Sequence, residues 1–263
     1  MSDTIEKAAE AVKSLPVLYV IIDRCTAMPY LDEDMSVYIF SSREYAESCI
    51  DYYAQQLRQW YTAEIPGVDM TAFLGNLFYC TGALRAILDN GQNSVTLPRE
   101  ALVAPPDTTG LKEEEIPVTN QAFSQSLLAF MEEYYWRLNY PEKANVLKSK
   151  ESRMIQEFGK ARFLLPIKGP ENGSFTKGSE FRVAGLSNEE GQAATPAFTD
   201  WSEFDKMYDR SEWQCLVVGA RDLKELRNDG VVLNPGSTGF FMNKRMITQM
   251  LEICAEDVQK QEN

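Results

Sequence analysis

The chain has 263 residues, 44% of them apolar, enough to bury a sizeable core in one large domain or two ordinary ones. Its 39 acidic and 26 basic residues leave a net charge of −13. Such a surface repels phosphate backbones and anionic headgroups, so neither nucleic acid nor a membrane is an expected partner.

Histidine is absent. That excludes Ser–His and Cys–His dyads, imidazole acid–base chemistry and His-ligated metals. The cysteines Cys25, Cys49, Cys80, Cys215 and Cys254 are odd in number and irregularly spaced, and read as buried thiols rather than a disulfide framework.

In chain order, residues 1–16 predict a short amphipathic helix ended by Ser14 and Pro16. No basic region followed by an apolar run marks them as a secretory signal, and no stretch approaches a membrane span, so a cytoplasmic protein is expected. LPVLYVIID (15–23) predicts a strand. Asp32-Glu33-Asp34 reads as a solvated loop, because an EF-hand pattern does not continue past it. VYIF is a strand, Ser42 an N-cap, and a helix then runs through CIDYYAQQLRQWY. Residues 111–158 read as an acidic linker, with Glu113-Glu114-Glu115, followed by two bridging helices.

Beyond the bridge, RFLLPI predicts a strand, GPENGSFTKGS a loop, FRVAGL a strand and TPAF a short extended piece. Asp200 caps a helix over DWSEFDKMYD. QCLVVG is a strand, and RDLKELRND a helix closed by Gly230. VVLN and GFFMN are strands about a Pro-Gly-Ser-Thr turn, and Asn243 caps a C-terminal helix whose apolar face includes Ile247, Met250, Cys254 and Val258.

The two halves echo each other. Leu77 aligns with Leu216, Leu84 with Leu223, Ile87 with Leu226 and Gly91 with Gly230, each pair 139 residues apart. Past the glycine, SVTLPREAL aligns with GFFMNKRMI at 145, which implies six extra residues around VVLNPGST. Upstream, LPVLYVIID parallels KARFLLPIKG, and VYIFSSREY parallels TPAFTDWSEF. By itself FLGNLFYCTGALRAIL could be helical throughout, but this repeat assigns LFYC to a strand. The expected fold is α+β: two related units, each a small mixed, largely antiparallel sheet with helices on one side. Residues 1–110 form the first unit, 111–158 the helical bridge and 159–263 the second.

Pro196, Phe198, Thr199 and Asp200, followed by Val232, Leu233, Asn234, Pro235 and Gly236, carry a resemblance. A Pro-x-Phe-Thr entry into a helix and a hydrophobic-Asn-Pro-Gly strand end resemble the SseB N-terminal domain family of bacterial proteins. The likeness covers about residues 160–250. The first half keeps only Phe40-Ser41 and lacks Asn-Pro-Gly. The resemblance implies a bacterial cytoplasmic α+β protein and supplies no catalytic residues.

No catalytic residue, metal ligand or cofactor site is therefore assigned. The favoured expectation is a non-enzymatic module that binds an unknown protein or peptide. Phe198, Thr199, Asp200, Trp201, Asn234, Pro235 and Gly236 are its candidate binding residues. The alternatives are a His-independent enzyme with a carboxylate or tyrosine site between the units, and an oligomeric scaffold. In the favoured reading the first unit is structural and supports a recognising second unit.

Overall fold

The computed structural model describes residues 3–112, 115–169, 181–187 and 191–261. Internal packing separates the chain into two units. The first holds residues 1–112 and 124–151, the second 113–123 and 152–263. Each is α+β.

In the first unit, β1 (Val17–Asp23) is the pivot. It pairs antiparallel along its length with β4 (Trp60–Pro66), and on its other edge with β2 (Met28–Pro29) and β3 (Ser36–Phe40). β3 runs parallel to β5 (Arg85–Leu88), which turns back into β6 (Val95–Pro98). Every residue of β3 is buried, so the sheet is covered on both faces. Val37 and Ile39 pack with Ala9 and Val12 of α1 (Asp3–Lys13) and with Met70 and Leu74 of α3 (Met70–Asn76). Tyr38 and Phe40 pack with Ala46 and Cys49 of α2 (Arg43–Ala54) and with Trp60. Helices on both faces, rather than one, follow from strands that are apolar in both registers of the pleat.

The second unit has a similar element order, with one more short strand. β7 (Arg162–Lys168) pairs antiparallel with β11 (Gln214–Gly219) and with β8 (Arg182–Val183). β9 (Leu186–Ser187) pairs with β10 (Ala193–Ala197). β10 runs parallel to β12 (Gly230–Leu233), which pairs with β13 (Phe240–Asn243). The bridge Leu164↔Phe198 sits where Tyr19↔Phe40 sits in the first unit. α7 (Trp201–Asp205) stands in the place of α2. Asn243 caps α9 (Lys244–Gln261), as expected, by accepting the Met246 N–H at 2.9 Å.

Several expectations are corrected. The helix expected to run through CIDYYAQQLRQWY, α2, stops at Ala54, because Leu57 adopts φ +63°, and Trp60-Tyr61 open β4 instead. LFYC is not a strand: Leu77–Thr81 form a π-helical turn continuing α3, ended by Gly82 at φ +95°. The strand equivalent to β11 is β4. The helix over RDLKELRND is only α8 (Ala220–Leu223), and Gly230 starts β12, where a Cβ would run into the Met242 carbonyl oxygen. Gly91, by contrast, has φ +89° in a turn.

The six-residue insertion disappears as well. Ile39↔Leu88 in the first unit corresponds to Ala197↔Leu233 in the second, and Leu88↔Val95 to Leu233↔Phe240. The turns between β5 and β6 and between β12 and β13 are therefore equal in length. Most of GPENGSFTKGS lies outside the described residues, as does the side chain of Val258.

The remaining helices are α4 (Arg99–Leu102), α5 (Gln121–Tyr135) and α6 (Lys143–Phe158). The latter two are each divided between the units: residues 124–135 and 143–151 belong to the first, 121–123 and 152–158 to the second.

Candidate functional site

The motif residues of the second unit meet where β10 enters α7. Asn234 follows β12 in a left-handed conformation, φ +46°, which Asn tolerates better than most residues. Its N–H donates to the Ala197 carbonyl at 2.9 Å, and its side-chain Oδ1 accepts the Thr199 N–H at 3.0 Å. Its Nδ2 donates to Thr199 Oγ1 at 2.9 Å, and that hydroxyl donates to Asp200 Oδ2, also at 2.9 Å. Asp200 caps α7 by accepting the Glu203 N–H at 3.0 Å. Burial pushes the Asp200 carboxyl up, against the Glu203 N–H and the Thr199 hydroxyl, which favour its charged form.

The network extends further. Ser237 Oγ donates to Glu203 Oε2 at 2.5 Å, and Lys206 Nζ donates to Glu203 Oε1 at 2.6 Å. Asn120 also joins it, though nothing in the sequence singles it out. Its Nδ2 donates to the carbonyls of Arg162 and Thr199 at 2.7 and 2.6 Å. Its Oδ1 accepts the Arg162 N–H at 3.0 Å, and a side chain that serves three distant backbone groups has no local sequence signature.

Of the seven candidate residues, Phe198, Thr199, Asp200 and Asn234 are buried and engaged with one another or with the core. Trp201, Pro235 and Gly236 reach the surface. The Arg210 guanidinium lies 4.3 Å from the Trp201 ring. A Cβ on Gly236 would stand 3.1 Å from Lys206 Cβ and 3.4 Å from Met207 Cγ, so this turn is closed against α7.

The first unit builds the same clamp. Asp89, φ +52°, occupies the Asn234 position, and its N–H donates to the Ile39 carbonyl at 2.9 Å. Ser41 donates to Asp89 through its N–H at 2.7 Å and through its hydroxyl at 2.8 Å. Asp89-Asn90-Gly91 thus stands where Asn234-Pro235-Gly236 stands, and the element expected to be missing from the first half is present in altered form.

Here, however, the turn stands off the helix at its glycine. Ser48 and Cys49 replace Lys206 and Met207, Asn90 Nδ2 donates to Cys49 Sγ at 3.8 Å, and among the described residues a Cβ on Gly91 would meet nothing within 4 Å. A groove of about 380 Å³ results, between α2 (Ser48, Cys49, Tyr52, Tyr53) and the turn (Asn90, Gly91, Gln92). Tyr52 is 61% exposed and edge-on to Tyr53 at 5.1 Å. Burial pushes the Cys49 thiol up to about 11, which favours its protonated form.

A second feature of the first unit is a buried charge cluster. Asp23, Arg58 and Glu132 line a crevice with Cys25, Leu57 and Trp136. The Arg58 guanidinium lies 3.7 Å from the centre of the Trp136 ring and 5.3 Å from that of Tyr30. Burial holds the Glu132 carboxyl well above the usual glutamate range. Asp23 adds to that, while Arg58, the Leu31 N–H and Lys150 oppose it. Among the described residues, Glu132 Oε1 has no hydrogen-bond partner. The free volume is about 10 Å³, room for roughly one water and not for a substrate.

Among the described residues, no group of three or more His, Cys, Asp or Glu side chains could hold a metal ion. None of their helices is long and apolar enough to cross a membrane.

No curated protein matches the chain. Among solved structures, Tic22 from Plasmodium falciparum is similar over 95% of this chain and 98% of its own, at 10% identity and a TM-score of 0.19, too low to bear on the fold. Residues 143–249 match the family described as SseB protein N-terminal domain, a span that runs from the start of α6 into α9 and contains both halves of the second unit's clamp.

Proposed function

We propose that the chain is a cytoplasmic, SseB-like module of bacterial type with two copies of one folding unit, and that it binds a protein or peptide without catalysing a reaction. The observation that carries this reading is the groove between α2 and the Asp89–Gln92 turn, formed where the equivalent turn of the second unit is closed. An exposed aromatic beside polar amides is the composition of recognition surfaces. The matching strand registers of the two units support common descent. The surface of Trp201, Pro235 and Gly236 is the second unit's version of the same recognising face.

Selection from a random peptide library against the full chain tests this. Binders are expected to lose affinity for Tyr52→Ala by about ten-fold, as for an interface anchor. Binders that hold Tyr52→Ala and a Trp201→Ala variant as tightly as the parent chain would overturn it.

A further inference from the structure

Resting on that groove, we propose that its occupant is a lysine side chain of a basic peptide segment.

The sister unit indicates what the space can hold. There, the stem of Lys206 and the side chain of Met207 lie against the turn at Gly236. In the first unit the smaller Ser48 and Cys49 leave that space unfilled. A partner must therefore bring a slender aliphatic stem of about that length.

The surroundings select a cation at its tip. The residues lining the groove are uncharged, but the elements that carry it hold Glu44 and Asp51 on α2 and Asp89 at the start of the turn, while the one cation of α2, Arg43, is already paired with Glu47 and Glu64. Asp89 is the charge the second unit lacks, since Asn234 stands in its place. It accepts two hydrogen bonds from Ser41, and among the described residues no Lys or Arg pairs with it. The exposed Tyr52 ring on the groove wall is an aromatic surface of the kind that attracts an ammonium group. The net charge of −13 draws a basic segment in.

The probe is a blocked peptide of alternating glycine and lysine, titrated into the ¹⁵N-labelled full chain and compared with the same peptide carrying acetyl-lysine. The lysine peptide is expected to shift the amide signals of Ser48–Tyr53 and Asn90–Gln92 saturably, and the acetylated one to shift them far less. Asp89→Asn, which copies the Asn234 clamp and so retains the fold, is expected to weaken binding about three-fold or more. Ser48→Lys, which places a tethered ammonium in the groove, is expected to abolish it. Glu252→Gln, an exposed charge change in the second unit, should leave it unchanged. If Glu252→Gln weakens binding as much as Asp89→Asn, the attraction is only to net charge and the proposal fails. If the acetylated peptide shifts the same signals equally well, the lysine assignment fails but the groove remains a binding site. If neither peptide moves the groove signals while library-selected peptides do, the assignment fails alone. If nothing moves them, both readings fail.

Discussion

Each clamp holds a single carboxylate, and the two units place it differently. In the second unit the carboxylate is the helix cap, Asp200, and the turn residue is the neutral Asn234. In the first unit the cap is the neutral Ser42, and the turn residue is Asp89. The Thr199 hydroxyl can donate only one proton, and it gives it to Asp200. Asn234→Asp would set a second carboxylate against that same hydroxyl. It should destabilise the chain by about 2–4 kcal/mol in urea unfolding. Adding Asp200→Ser, which recreates the first unit's arrangement, should recover at least half of that loss. Glu132 ties stability to pH. Its carboxyl is raised on folding, so between the ordinary value of 4.5 and its folded value the native state binds more protons than the unfolded one. The stability it permits is therefore greatest at low pH and is lost as pH rises through that window. Glu132→Gln keeps the shape and removes the titration. Its thermal midpoint should match the parent near pH 4.5 and exceed it by about 2–6 °C at pH 8, with the gap opening steadily in calorimetry. A constant gap would show that ionisation is not the cause.

At the scale of elements, what could be read beforehand depended on whether the signal was local. β1, β3, β7, β10 and β12 are short apolar runs, and Ser42, Asp200 and Asn243 are caps with their acceptors in place, so these were legible in the sequence. β4 was not. Trp60–Pro66 alternates only weakly, with Glu64 and Pro66 exposed, and gains strand character from pairing with β1. The π-turn at Leu77–Thr81 was hidden because its apolar residues suit a buried strand as well as a buried helix. The two Asn/Asp-Gly sequences ending at Gly91 and Gly230 aligned the repeat falsely, since one glycine is needed for positive φ and the other for close strand contact. That error concealed Asp89 as the partner of Asn234, and with it the groove. Loops of different length before β10 and before β12 erase a constant offset, although the strand registers preserve the correspondence between the units.

For the molecule as a whole, the division of α5 and α6 between the units limits how the chain can be cut. The first unit needs residues beyond 112. Leu128 packs into its core, Gln125 donates to the Gly82 carbonyl, and Trp136 donates to the Gln56 carbonyl at 2.7 Å. A fragment ending at Lys112 should lack a cooperative thermal transition by circular dichroism, whereas one ending at Glu151 should show one. Equal behaviour of the two fragments would refute this assignment of α5. The same division bears on synthesis. The chain leaves the ribosome from its N-terminus at roughly 5–20 residues per second. The sheet of the first unit is complete by Pro98, yet its last stretch, 124–151, emerges only afterwards. For a few seconds the nascent first unit lacks Leu128 in its core and the bonds from Gln125 and Trp136, and that interval is when a chaperone would be expected to hold it.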